Sequence, residues 1–211
     1  MKEVPVHHRL RLLVVPVAVA GLALTACGSD DASSDAPAAS EQADSNFNDA
    51  DVVFAQSMIP HHEQAVEMAE LALAAEAAAG AEIVALATAV QGAQDPEIVL
   101  MRSLLESWDQ PTEMPGMDGM EDMGSDEMDD MDHGGMEGMM SGEEMAALMA
   151  LTGTDFDQAW ASMMIRHHEG AIAMAQTVLD SGTNPDVQLL ADQIISAQQA
   201  EIDQMRAMLA E

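Results

Sequence analysis

One feature restricts the fold of this chain more than any other: it contains two copies of the same stretch. Met58-Ile59-Pro60-His61-His62-Glu63-Gln64-Ala65, with Met68-Ala69 following, recurs 106 residues later as Met164-Ile165-Arg166-His167-His168-Glu169-Gly170-Ala171, with Met174-Ala175 following. A second match, Ala93-Gln94, Glu97-Ile98, Met101-Arg102 and Leu105 with Ala197-Gln198, Glu201-Ile202, Met205-Arg206 and Leu209, has an offset of 104. Repetition at this length means that one supersecondary unit is used twice, and the two-residue difference in offset is a change in one loop.

The unit is a pair of helices. At 100° per residue, Phe54, Met58, His61, Ala65, Met68 and Ala72 share a stripe with His62 at its border. Trp160, Met164, His167, Ala171 and Met174, bordered by His168, repeat it. Helices are predicted near 49–79, 82–107, 155–181 and 185–210, with a short one near 143–151. Asn48 with Asp51 and Thr154 with Asp157 read as N-terminal caps, and Asn184-Pro185 as a cap followed by proline. Gly80 and Gly182 read as left-handed stops, and Pro60 and Pro96 as kinks. Two hairpins with apolar stripes bury them best together, so an all-α, four-helix bundle is expected, with halves 47–108 and 143–211.

The N-terminus reads as an export signal. Lys2, Arg9 and Arg11 precede an apolar run from Leu12 to Ala23, and Leu24-Thr25-Ala26-Cys27 has the form of a lipobox. Residues 1–26 are thus expected to be removed, Cys27 to carry lipid, and residues 27–46 to tether the domain outside the cytoplasm. Cys27 is the only cysteine, so no disulfide within the chain can form. Cleavage removes three of six basic residues and one of thirty-eight acids, leaving net charge −34. Such a surface repels phosphate backbones and attracts cations, which argues against a nucleic-acid partner.

Residues 109–142 differ from everything around them, with nine methionines, eleven acids, glycines and no basic residue. Met114, Met117, Met120 and Met123 are spaced by three, followed by Met128 and Met131, then Met136 and Met139, with His133 among them. Without helical or alternating periodicity, the stretch reads as a disordered insert. Thioether sulfur selects Cu(I) or silver over hard cations and has no proton to lose. No twelve-residue calcium loop is present.

The candidate ligands of the bundle are the inward groups of all four long helices: His61, His62, His167 and His168, with Met58, Met68, Met164 and Met174, and Glu97, Met101, Glu201 and Met205 from the second helices. A carboxylate on an apolar stripe is costly unless paired or bound to a cation. A hydrogen-bond network, such as His61 or His62 to Glu201, is the plainer explanation of the same pattern. Glu63 and Glu169 face away, where Arg102, Arg166 and Arg206 can pair with them or with other rim acids.

The doubled Met-Ile-x-His-His-Glu signature and the two Gln-x-x-Glu-Ile-x-x-Met-Arg stretches resemble the DUF305 family over nearly everything from residue 47 except the insert. The resemblance implies a ferritin-like bundle, export and copper handling. It also implies that His61, His62, His167 and His168 are the motif histidines, with Met58, Met68, Met164 and Met174 beside them; Arg166 departs from Pro60. The expected function is non-enzymatic: a lipid-anchored copper buffer or carrier with a metal ion, the membrane and a copper-handling protein as partners. The alternatives are a ferritin-like dinuclear carboxylate oxidase and a metal-free interaction module.

Overall fold

The structure is a computed structural model that describes residues 46–114 and 137–210. Among the described residues it is all-helical: α1 (Asp49–Leu73), α2 (Ala81–Ser107), α3 (Gly142–Met149), α4 (Gly153–Ser181) and α5 (Pro185–Leu209). Each predicted hairpin forms, with α1 on α2 and α4 on α5, and the two histidine-bearing helices α1 and α4 pack on each other. No described helix is long and apolar enough to cross a membrane.

α1 and α4 run antiparallel. Asn48 at the start of α1 donates to the Ser181 carbonyl at the end of α4, and Trp160 early in α4 donates to the Met68 carbonyl late in α1, at 2.8 Å each. The interior divides accordingly. One cluster gathers Met68, Ile83, Leu86, Phe156, Trp160, Met164, Ile202 and Met205; the other gathers Phe54, Met58, Ile98, Met101, Leu105, Val178, Leu190 and Ile194. Along both α1 and α4 the histidine doublets fall between these clusters, so the helix crossing carries a polar layer within an apolar interior.

Helix ends depart from the local reading in an instructive way. Asn48 and Asp51 do form a capping box, but Asp51 is fully buried and also accepts from the Thr183 and Asn184 amides at the start of α5. Its repeat partner Asp157 does not cap α4 with Thr154. Instead α4 begins at Gly153 after Thr152, and Asp157 accepts from the Gly80 amide at the start of α2, at 3.0 and 3.1 Å. Each half thus holds the start of the other half's second helix through the amide of its N-cap residue, Gly80 or Asn184, while Asn184 itself caps α5. Gly80 and Gly182, at φ −65 and −75, are not left-handed stops. They are glycines because a Cβ on either would collide with the visiting carboxylate, Asp157 or Asp51. α1 also ends earlier than expected, at Leu73; a 3₁₀ turn over Ala75–Ala77 and left-handed Ala78 at φ 47 complete the reversal. Neither Pro60 nor Pro96 terminates its helix.

Both ends of the insert are fastened. At the first, Trp108 stacks on Phe47, Gln56 donates to the Pro111 carbonyl at 2.8 Å, and the Ser57 hydroxyl donates to Met114 Sδ at 3.8 Å. At the second, Met140 is buried among the residues of the first cluster, so the described end of this stretch does join the core. Ser141 and Glu144 form a capping box on α3, and Arg166 pairs with Glu144, whose carboxyl this contact holds below its usual range.

Candidate metal centre

All four histidines are fully buried. His61 and His167, the repeat-equivalent pair, are in contact with ring centroids 3.8 Å apart and planes tilted by 44°, and the His168 centroid lies 6.4 Å from that of His167. Each outer ring nitrogen finds an acceptor: His62 Nε2 meets Glu97 at 2.8 Å, His168 Nε2 meets Glu201 at 2.7 Å, and His61 Nε2 meets the Glu137 carbonyl at 3.2 Å. Carboxylates and carbonyls accept, so these three imidazoles carry a hydrogen on Nε2, and in the neutral ring the lone pair is then on Nδ1. Among the described residues none of the three Nδ1 atoms has a hydrogen-bond partner, and His167 lacks one at both nitrogens.

The plainer explanation from sequence paired His61 or His62 with Glu201. The structure keeps each pair within its own half, His62 with Glu97 and His168 with Glu201, because each hairpin brings its own helices face to face. Glu97 and Glu201 therefore act on the histidines' outer nitrogens. This is the carboxylate–histidine arrangement that fixes ring orientation and raises donor strength. Exchanging either acid for glutamine should weaken metal binding roughly 10- to 100-fold. A competition titration of Glu97→Gln and Glu201→Gln against the parent would check it; unchanged affinity in both would contradict the role.

Burial, followed by the nearby His62, lowers the pKa of His61 to about 3 despite the Glu137 carbonyl. Burial, then His61, His168 and His62, drives His167 well below 6.5; the His61 backbone opposes this without reaching hydrogen-bond geometry. As pH falls through 6.5 the unfolded chain takes up protons that these two folded imidazoles refuse. Metal-free stability is therefore full above pH 6.5 and declines below it, by up to about 1.4 kcal/mol per pH unit for each histidine. Melting temperatures measured from pH 7 down to about 5, above most carboxylate titration, should show that decline.

The thioethers are unevenly placed. Met58, Met68, Met101, Met164 and Met205 are fully buried on either side of the histidine layer. Met174, the repeat partner of Met68, is half-buried and lines a groove of about 230 Å³ with Phe54, Ser57 and Glu137. Met114 and Met139 are half-buried. Met117, Met120, Met123, Met128, Met131, His133 and Met136 lie outside the described residues, as does Cys27. Among the described residues no three His, Cys, Asp or Glu side chains form a ready-made metal cluster. Glu97 and Glu201 each give one oxygen to a histidine Nε2, and the other donors around the layer are imidazole nitrogen and thioether sulfur, types that suit copper.

Sequence reasoning missed the groups that make the two halves unequal. Gln64 grips Met140 with both ends of its amide, at 2.8 and 2.7 Å, and Arg166 reaches Met140 Sδ at 3.1 Å. Residues Glu137 to Met140 thereby lie across α1 and α4, and Gly170 leaves room for them, since a Cβ there would overlap the Glu137 carbonyl. The signal was present: Gln64 against Gly170 and Pro60 against Arg166 are mismatches inside an otherwise matching repeat. Gln94 and its repeat partner Gln198 are also buried, and neither polar atom of the Gln94 amide has a partner.

A family described as Domain of unknown function (DUF305) matches residues 51–209. Among solved structures, a DUF305 protein of Streptomyces coelicolor is 29% identical with a TM-score of 0.64, covering 76% of this chain and 92% of that one. A DUF305 fragment from Deinococcus radiodurans is 32% identical with a TM-score of 0.64, covering 77% and 97%. CopM in its Cu(I)-bound form is 28% identical with a TM-score of 0.58, covering 75% and 94%; that protein is also solved in Cu(II)- and Ag-bound forms. No curated protein sequence matches significantly.

Proposed function

This chain belongs to the DUF305 family, and we propose from its buried histidines that it binds copper as an exported, lipid-anchored buffer or carrier. The observation that carries the proposal is the set of ring nitrogens without a partner among the described residues: Nδ1 of His61, His62 and His168, and both nitrogens of His167. A buried polar atom without a partner costs about 1–3 kcal/mol, and four such groups at repeat-equivalent positions are hard to reconcile with a purely structural role. A cation bound through those lone pairs would remove the cost. The copper- and silver-bound forms of CopM support the same metal class.

Copper is cargo in this reading. The methionine-rich insert captures Cu(I), the His and Met groups of the bundle hold it or take Cu(II), and a copper-handling protein delivers or receives it. Anchoring rests on Cys27 within Leu24-Thr25-Ala26-Cys27. The function is non-enzymatic. No observation favours the dinuclear oxidase over it, because Glu97 and Glu201 are turned to His62 and His168. Titration with Cu(I) against a competing chelator should reveal at least one site tighter than micromolar. Absence of any such site would end the proposal, and identical melting curves with and without copper would favour the interaction module.

A further inference from the structure

We propose that the backbone strap Glu137–Met140, clamped by Gln64, selects Nδ1 as the nitrogen through which His61 takes a soft cation. The inference deepens the copper-binding reading and rests on it. His62 and His168 have their coordinating nitrogen chosen by side chains of their own hairpins, Glu97 and Glu201. Among the described residues His61 and His167 have no carboxylate partner, and they are the pair whose rings touch. Only one of them has a hydrogen bond to orient it: the Glu137 carbonyl accepts from His61 Nε2, while among the described residues neither nitrogen of His167 has a partner in hydrogen-bond geometry, the nearby His61 backbone included.

That carbonyl comes from a piece of main chain, so its position depends on what holds the main chain. Gln64 binds both the N–H and the carbonyl of Met140, three residues on. Gly138, at φ 87, crosses α4 where Gly170 has no side chain, and its Cα would lie 3.0 Å from a Cβ at that position. Arg166 fastens the far end through Met140 Sδ and Glu144. Gln64, three residues after His61 on α1, is thus a positioning residue acting through the strap. Since a carbonyl cannot donate, Nε2 must carry the hydrogen as long as the strap is seated, and the lone pair faces the interior on Nδ1. The duplication supplies the contrast. Gly170 replaces Gln64 in the second half, so His167 has no clamp and both its nitrogens stay open.

The test is nitrogen NMR on the chain labelled with ¹⁵N-histidine, using silver(I) as a diamagnetic probe. In the metal-free parent, His61 should show a protected Nε2–H resonance. Adding silver should shift its Nδ1 signal and leave that Nε2–H in place. In Gln64→Ala, and separately in Gly170→Ala, exchange of the His61 Nε2–H should quicken roughly tenfold or more, and silver should distribute over both ring nitrogens. His62 and His168 should keep their parental spectra. Gly170→Ala suits a helix interior, so the two variants disturb the strap by independent routes. A drop in stability with an unaltered His61 spectrum would overturn the proposal, as would silver on Nε2 in the parent. If no histidine nitrogen responds to silver, the copper reading itself falls.

Discussion

In the absence of metal, a His167→Leu chain should melt above the parent chain, and it should bind Cu(I) roughly a hundredfold more weakly or worse. The two effects have opposite signs because they have one cause. His167 is fully buried with neither ring nitrogen hydrogen-bonded, so leucine removes two unsatisfied polar atoms at similar volume. Relief of a penalty of about 1–3 kcal/mol raises stability by that order. The same substitution deletes a donor from the His61–His167 pair, and losing even an outer partner of a metal ligand costs 10- to 100-fold in affinity, which sets a lower bound here. Thermal melting at pH 7 and Cu(I) competition titration read the two effects separately. The pH dependence provides a third reading, since one of the two histidines driven below 6.5 is gone and the decline in stability toward acid should become shallower. A destabilised variant with parental copper affinity would mean that the imidazole is there for packing.

Asp51→Ala should be the most damaging change to a helix cap in this chain, at about 3–4 kcal/mol, or roughly 10 °C in melting temperature for a domain of this size. Asp51 is fully buried and accepts from the amides of Asn48, Thr183 and Asn184 and from the Thr183 hydroxyl. Alanine leaves three backbone N–H groups without their acceptor where α1 meets the start of α5. Among the described residues Asp157, its repeat partner, meets only the Gly80 amide and is half-buried, so Asp157→Ala should cost about 1 kcal/mol. Denaturant unfolding of both variants measures the difference. Equal costs would show that the inter-half contact, rather than the number of amides served, sets the penalty.

The histidine layer is legible in the amino-acid order because its signal is periodic and doubled. His61 and His167 lie three residues after Met58 and Met164 on stripes that recur in both halves, and all four of these residues are buried. The rim pairs are legible for the same reason: Arg102 with Glu63 and Arg206 with Glu169 form at matching places. Asp157 is not legible. Its spacing from Thr154 satisfies a local capping rule, yet its carboxylate serves Gly80, 77 residues away. The left-handed reading of Gly80 and Gly182 fails likewise. Glycine there answers to an approaching side chain from the other half, and no local pattern records an approach from elsewhere in the chain.

By itself the sequence determined that this protein is a doubled helical hairpin with histidine pairs on its inward stripes, since hydrophobic period and repeat offset are properties of the chain read along its length. Tertiary structure alone decided which nitrogen of His61, His62 and His168 is left bare. That choice belongs to Glu97, Glu201 and the Glu137 carbonyl, groups 33 to 76 residues distant in the chain. A hydrogen bond is settled within a few tenths of an ångström, and only the packed helices and the strap across them fix positions that finely.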